Sequence, residues 1–189
     1  MKLYVLLFIL WFASLTVAAQ KKNSYGSQNY VGLLEGSERS RFQIQTIHGI
    51  KFANTWYAGI GTGLDYYFFR SVPLFLSATK NFCSCERTFF ASVNAGYNWV
   101  WDETTGNWAN YYSKGDFSPR PFYEASMGYR IGLRNKKDAV LLNMGYSVKK
   151  AREKIDGVIW WCDFPPCPTP NETIDYSFRR LSLKVGWEF

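Results

Sequence analysis

The sequence predicts an all-β chain folded as an eight-stranded antiparallel up-and-down transmembrane β-barrel. Three observations carry that expectation. Apolar and polar residues alternate in segment after segment, the period of a strand with two unlike faces. Aromatic residues make up 19% of the chain, a composition suited to strands. Turn-forming clusters interrupt the alternation at regular intervals, and after residue 28 no stretch keeps a helical period.

The N-terminus stands apart from this pattern. Lys2 precedes an apolar run from Leu3 to Phe12, and small residues follow as Val17-Ala18-Ala19. That is the layout of a secretory signal peptide, expected to occupy residues 1–19 and to be cleaved after Ala19. The run is too short to cross about 30 Å of hydrocarbon as a helix. Residues 20–189 are then one domain. Lys2 leaves with the peptide, so the mature chain is still basic: the whole sequence holds 22 Lys and Arg against 15 Asp and Glu. The basic residues are dispersed, and an exported chain is not expected to meet nucleic acid. Attraction to anionic lipid head groups, or placement in solvated loops, is the better account of them.

The strands follow in order. The first four are expected near 28–35, 40–52, 55–66 and 70–81, with turns at Glu35–Arg39, Ala53–Asn54 and near Phe69–Ser71. The fifth sets Phe89, Ala91, Val93, Ala95, Tyr97, Trp99 and Trp101 against Phe90, Ser92, Asn94, Gly96 and Asn98. The sixth sets Tyr123, Ala125, Met127, Tyr129, Ile131 and Leu133 against Glu124, Ser126, Gly128, Arg130, Gly132 and Arg134. In the seventh, Val140, Leu142, Met144, Tyr146 and Val148 oppose Leu141, Asn143, Gly145, Ser147 and Lys149. The last is the clearest: Leu181, Leu183, Val185, Trp187 and Phe189 share one face, and Arg180, Ser182, Lys184, Gly186 and Glu188 the other. An even number of strands returns both ends to one side, so the sheet closes without free edges. Connections Cys83–Arg87 and Arg134–Lys137 are short, whereas those near 102–118 and 156–173 are long, as periplasmic turns and extracellular loops differ.

Alternation alone does not say which face meets lipid. The polar faces interleave glycine and small residues with a few opposed charges, which suits the cramped lumen of a narrow barrel better than a solvent face. Trp56, Tyr66, Trp99, Trp101, Tyr123 and Trp187 fall near strand ends, where interfacial aromatic girdles lie. The rival is a secreted soluble ligand-binding barrel with an aromatic-rich core. The signal peptide, the dyad segments and the terminal stretch RRLSLKVGWEF resemble the small outer-membrane β-barrel family typified by OmpA and OmpX. The resemblance implies a monomeric integral protein of the outer membrane of a Gram-negative-type bacterium. It also implies that Trp187 and Phe189 act as the signal read by the barrel-assembly machinery, with Lys184 standing where that signal often has glycine.

No nucleotide-binding, zinc-protease or nucleophile-elbow motif occurs, and no cofactor or metal is expected. His48 is the one candidate general base, for a lipid hydrolase or acyltransferase at the membrane surface. Ile50 rather than serine lies two residues on, and the strand period puts His48 beside Phe42, Ile44 and Ile50 on the apolar face. A packed interfacial histidine is the blander reading. Inside the barrel, Glu124, Arg130, Arg180 and Lys184 are expected to form a polar network, with Asp65 near a rim. An eight-stranded barrel is about filled by its own side chains, so plugging is preferred over a narrow channel. Cys162 and Cys167 are expected to bond each other in an outer loop, while the state of Cys83 and Cys85 stays open. The long loops carry Trp108, Tyr111, Tyr112, Phe117, Trp160, Trp161 and Phe164, which either anchor a partner or cover the barrel mouth. The expected function is non-enzymatic: a structural or surface-interaction role through the extracellular loops, toward outer-membrane lipid and an extracellular ligand or surface partner.

Overall fold

The computed structural model describes residues 24–36, 40–67, 69–101, 116–133, 138–155 and 172–189, with the side chains of 155 and 172 left aside. The expected signal peptide, the Cys162–Cys167 pair and most of both long connections lie outside them.

The described residues form nine antiparallel strands: β1 (Ser24–Glu35), β2 (Arg41–Phe52), β3 (Trp56–Tyr66), β4 (Arg70–Asn81), β5 (Arg87–Val100), β6 (Asp116–Ser118), β7 (Arg120–Gly132), β8 (Ala139–Ile155) and β9 (Glu172–Glu188). Each long strand pairs with the next, and the β8–β9 and β9–β1 ladders close the ring. The wall is therefore eight-stranded, with β6 and β7 forming one interrupted strand. From Ser118 to Phe122 the chain advances four residues while its partner moves three, from Arg152 to Lys149. The extra residue falls between Pro119 and Pro121, neither of which has an amide hydrogen to donate, and a bulge absorbs it. The first strand also begins earlier than its apolar pattern suggests, because Ser24 to Ser27 pair with Lys51 to His48. Short polar residues serve there because the ladder needs only backbone. Phe189 seals the seam, its amide donating to Ser27 O at 3.0 Å and its carbonyl accepting from Ser27 N at 2.8 Å. In the β2–β3 turn Ala53 and Asn54 take left-handed backbone (φ 48° and 62°), natural for Asn and costly for Ala.

The in-out phase follows the alternation. Leu181, Leu183 and Val185 are 53%, 49% and 57% exposed, whereas Ser182 and Lys184 between them are 0% and 4%. The same contrast runs round the wall through Val31, Ile44, Ile60, Leu76, Val93, Met127 and Met144, all exposed. Among the described residues this belt holds no charged side chain; the outward-facing Glu35, Arg70, Lys80 and Arg87 stand at strand ends, and Lys150, Arg152, Lys154, Asp175 and Arg179 on the part of β8 and β9 beyond it. A band this apolar around the whole molecule would not persist in water, so its solvent is hydrocarbon. Lys80 marks one border, its ammonium 4.6 Å from the Trp56 ring centre in an interfacial cation–π contact. Leu76 lies mid-strand at the belt's centre, so Leu76→Arg should lower the unfolding free energy in lipid vesicles by about 2–4 kcal/mol. A loss under about 0.5 kcal/mol in urea titrations would place that face outside the hydrocarbon.

The lumen carries the core: Tyr30, Ile47, Tyr57, Phe75, Phe90, Phe122 and Leu141 form one buried cluster. Large rings fit so narrow a barrel because their cross-strand partners are glycines. Phe75 pairs with Gly61, Phe90 with Gly128 and Tyr30 with Gly186. A Cβ at any of these glycines would run into the ring opposite it. The glycines on the polar faces are thus seats for aromatic rings.

Candidate functional site

Three ionic clusters and an aromatic layer stack along the lumen. At the end where β1 starts and β9 finishes, Glu188 accepts from Lys51 at 2.9 Å, Arg130 at 3.1 Å and Gln28 at 2.9 Å. A cavity of about 420 Å³ opens beside this cluster and reaches the β4–β5 turn. In the middle, Lys184 Nζ forms an ion pair with Glu124 and donates to Gln45 Oε1 at 3.1 Å, while Ser182 Oγ donates to Glu124 at 2.8 Å. Toward the other end, Lys149 Nζ donates to Asp65 Oδ2 at 2.5 Å and to Ser71 Oγ at 3.0 Å, with Tyr67 and Ser147 hydrogen-bonded beside it. The Lys149 ammonium also lies 4.4 Å from the Tyr67 ring centre and 5.3 Å from that of Phe122. The middle and upper ion pairs are almost wholly dehydrated, with side-chain exposures of 2% or less. Burial on this scale is tolerable because each charge has its counter-charge, and Lys149, Lys184 and Glu124 each have a further hydrogen bond, although Asp65 Oδ1 and Glu124 Oε2 find no partner.

Of the residues expected to share a lumen network, the structure brings Glu124 and Lys184 together. Arg130 instead joins Glu188 one level away, and Arg180 donates to Tyr67 O at 3.1 Å near the opposite mouth. Asp65 is buried in the upper cluster rather than at an open rim. Lys149, Glu188, Lys51 and Gln45 were not singled out from sequence. Their signal was their phase: each stands at an inward position of its strand, where a long polar side chain has to find a partner.

Above the upper cluster Phe69 meets Phe117 at 4.8 Å and Tyr176 at 5.2 Å between ring centres, and Phe178 stacks on Tyr176 at 5.9 Å. Phe117 thus covers the mouth, and the other loop aromatics lie outside the described residues. Beyond the belt on the outer surface, Arg152 grips Asp175 through two hydrogen bonds of 2.6 and 2.8 Å. Those bonds hold the Asp175 carboxyl below its ordinary range, helped by the fields of Arg120 and Lys150.

His48 lies on the outer face, as its period implied, inside a chain of hydrogen bonds. Tyr25 OH is 2.6 Å from Nδ1, Thr46 Oγ1 is 3.1 Å from Nε2, and Thr46 donates to Asn29 Oδ1 at 2.7 Å. A threonine hydroxyl has one proton, and it goes to Asn29. Nε2–H therefore donates to Thr46 and Nδ1 accepts from Tyr25. In this tautomer His48 cannot take a proton from Thr46, the one hydroxyl two residues from it on its strand. These bonds give both ring nitrogens of His48 and the hydroxyls of Tyr25 and Thr46 a partner. Among the described residues no three or more His, Cys, Asp or Glu gather in a metal-binding group. Cys83 and Cys85 form a disulfide in the β4–β5 turn. Trp187 and Phe189 both face outward, 43% and 54% exposed, at the end of the closing strand.

No family model and no curated protein matches the sequence. Solved structures do. Neisserial surface protein A superposes with a TM-score of 0.58 at 10% identity, covering 89% of this chain and 98% of that one. OprG of Pseudomonas aeruginosa gives 0.58 at 11% identity, covering 88% and 95%. The N-terminal β-barrel domain of OprF from the same organism gives 0.51 at 8% identity, covering 87% and 96%. Identities this low speak to fold alone, and the fold agrees with the lipid-facing belt. The chain is an eight-stranded antiparallel barrel with the fold of small outer-membrane barrels, and its apolar outer belt makes it an integral membrane protein.

Proposed function

We propose that this barrel is a non-conducting membrane anchor whose work is done on its extracellular side, as a structural and surface-interaction protein. The supporting observation is a contrast between its middle and its outer end. The lumen is filled by dehydrated ion pairs and rings, whereas the β8–β9 ladder continues past the belt to Ile155 and Glu172. On the outward face of that extension stand Lys150, Arg152, Lys154 and Arg179, directly above Val148 and Leu181. Arg152 is matched by Asp175, and Lys154 pairs in register with Asp116. Lys150 and Arg179 remain in excess at head-group height, where they suit the phosphate groups of outer-leaflet lipid. The longer connections would extend the same surface toward an extracellular ligand or partner. Trp187 and Phe189 serve assembly: they present an aromatic C-terminal edge to the barrel-assembly machinery before the β9–β1 seam closes.

Three measurements test the reading. In planar bilayers the purified protein should give no stepwise conductance, and regular steps would make it a channel instead. In neutral detergent, Lys150→Ala with Arg179→Ala should weaken binding of a fluorescent phosphorylated glycolipid by roughly 30-fold, at about 1 kcal/mol per charge. Equal binding of a dephosphorylated glycolipid would remove the phosphate from the account. His48→Ala should leave phospholipid and glycolipid acylation unchanged, whereas altered lipid would promote an enzymatic role.

A further inference from the structure

The β4–β5 turn projects from the end of the barrel where β1 starts and β9 finishes, the periplasmic end in barrels of this plan. Its disulfide joins Cys83 to Cys85 across the single residue Ser84. A staple that short removes little chain entropy from the unfolded state, since the stabilisation grows with the loop enclosed. The turn also has other fastenings: Phe82 N donates to Phe89 O at 3.0 Å, Cys83 N to Thr88 Oγ1 at 3.1 Å, and Gly132 N to Glu86 O at 2.6 Å. The bond is therefore poorly explained as a structural clamp.

Its surroundings suit chemistry better. Cys85 and Ser84 are exposed and Cys83 is half-buried, so the two sulfurs differ in access. The Cys85 amide donates to Cys83 Sγ at 3.0 Å, a bond that would stabilise negative charge on that sulfur. Both cysteines line the cavity of about 420 Å³ at this mouth, whose charged lining is balanced, Lys51 and Arg130 against Glu188 and Glu86. Accessible sulfur, a stabilised leaving sulfur and an open charged cavity are the parts that thiol–disulfide exchange requires.

We propose that Cys83–Cys85 is a thiol–disulfide exchange site facing the periplasm, with dithiols as its substrate class. A substrate thiolate attacks Cys85 Sγ, the Cys83–Cys85 bond breaks, and its electron pair leaves on Cys83 Sγ beside the Cys85 amide. The second substrate thiolate then attacks the substrate sulfur of the mixed disulfide, which releases Cys85 as a thiolate. The substrate loses two electrons and two protons and becomes a disulfide, and the two cysteines take them up as thiols. A second disulfide of the envelope restores the bond by the reverse steps, and re-closure is favoured because both thiols sit on one short turn.

The test uses the full chain folded in detergent with Cys162→Ser and Cys167→Ser, so that only this pair reports. A reduced two-cysteine peptide is added in excess, the reaction is quenched with acid and alkylated, and both partners are weighed by mass spectrometry. The expected result is reduction of Cys83 and Cys85 matched mole for mole by peptide oxidation, while the barrel keeps its heat-modifiable mobility. Given instead a single-cysteine peptide activated as its nitrothiobenzoate disulfide, which releases nitrothiobenzoate on attack, Cys83→Ser should form a persistent mixed disulfide with the peptide at Cys85, at least about tenfold faster than Cys85→Ser does at half-buried Cys83. A pair that stays oxidised in the folded barrel and yields only on denaturation would overturn the proposal. Equal trapping by the two variants would overturn the assigned order of attack.

Discussion

Glu124→Gln should lower the unfolding free energy of the barrel in lipid vesicles by about 3–5 kcal/mol, among the largest losses expected of any single change in this chain. The substitution keeps volume, and its side-chain oxygen still accepts from Ser182. What it removes is the counter-charge of Lys184, whose ammonium is left in a site with 1% side-chain exposure and only neutral amide oxygens, at 124 and on Gln45, for partners. The loss is thus the cost of an unpaired buried charge rather than of one hydrogen bond. Adding Lys184→Met removes that charge as well and should recover most of the stability, because a well-packed apolar replacement of an ion pair is often neutral. Urea titrations followed by tryptophan fluorescence give both numbers. A single-variant loss below about 1 kcal/mol, or a double variant worse than the single, would show that water reaches Lys184 and that the lumen is not sealed at this level.

Phe90→Ala should cost about 3–5 kcal/mol, while Phe89→Ala, one residue away, should cost less than half as much. The two rings differ only in phase. Phe90 is 1% exposed inside the lumen core, seated over Gly128, and its removal opens a cavity that the barrel wall is too stiff to close. Phe89 is 62% exposed on the outer wall, where acyl chains fill the space it vacates. Equal losses at the two positions would contradict the in-out assignment of β5. A larger loss at Phe89 would reverse it.

These variants also mark where sequence reasoning succeeds on such a fold. The alternation along β5, β7, β8 and β9 was legible because hydrocarbon on one side and a narrow lumen on the other leave each residue two environments and nothing between. The same argument located His48 on the outer face and Lys184 on the inner one. Partner choice inside the lumen was not legible. Glu124 meets Lys184 rather than Arg130 because the strands are tilted and staggered around the ring, and that stagger leaves no trace in the period of one strand. The Asp65–Lys149 pair joins residues 84 apart in sequence for the same reason. The rings of Phe75 and Phe90 look misplaced on polar faces until their cross-strand glycines are known. Proline positions carried a signal that strand counting passes over, since Pro119 and Pro121 interrupt the sixth wall strand and shift its register by one residue.

The central claim is that the apolar faces of the strands look out into lipid around a sealed polar lumen. Its most direct test is nitroxide scanning along β9 in a cysteine-free background, with one label at a time at positions 181 to 185 in phospholipid vesicles. Labels at 181, 183 and 185 should collide freely with dissolved oxygen, and those at 182 and 184 should be shielded from both oxygen and a water-soluble relaxant. High oxygen collision at 182 and 184 with shielding at 181, 183 and 185 would contradict the account, because it would turn the apolar faces inward as in a soluble barrel.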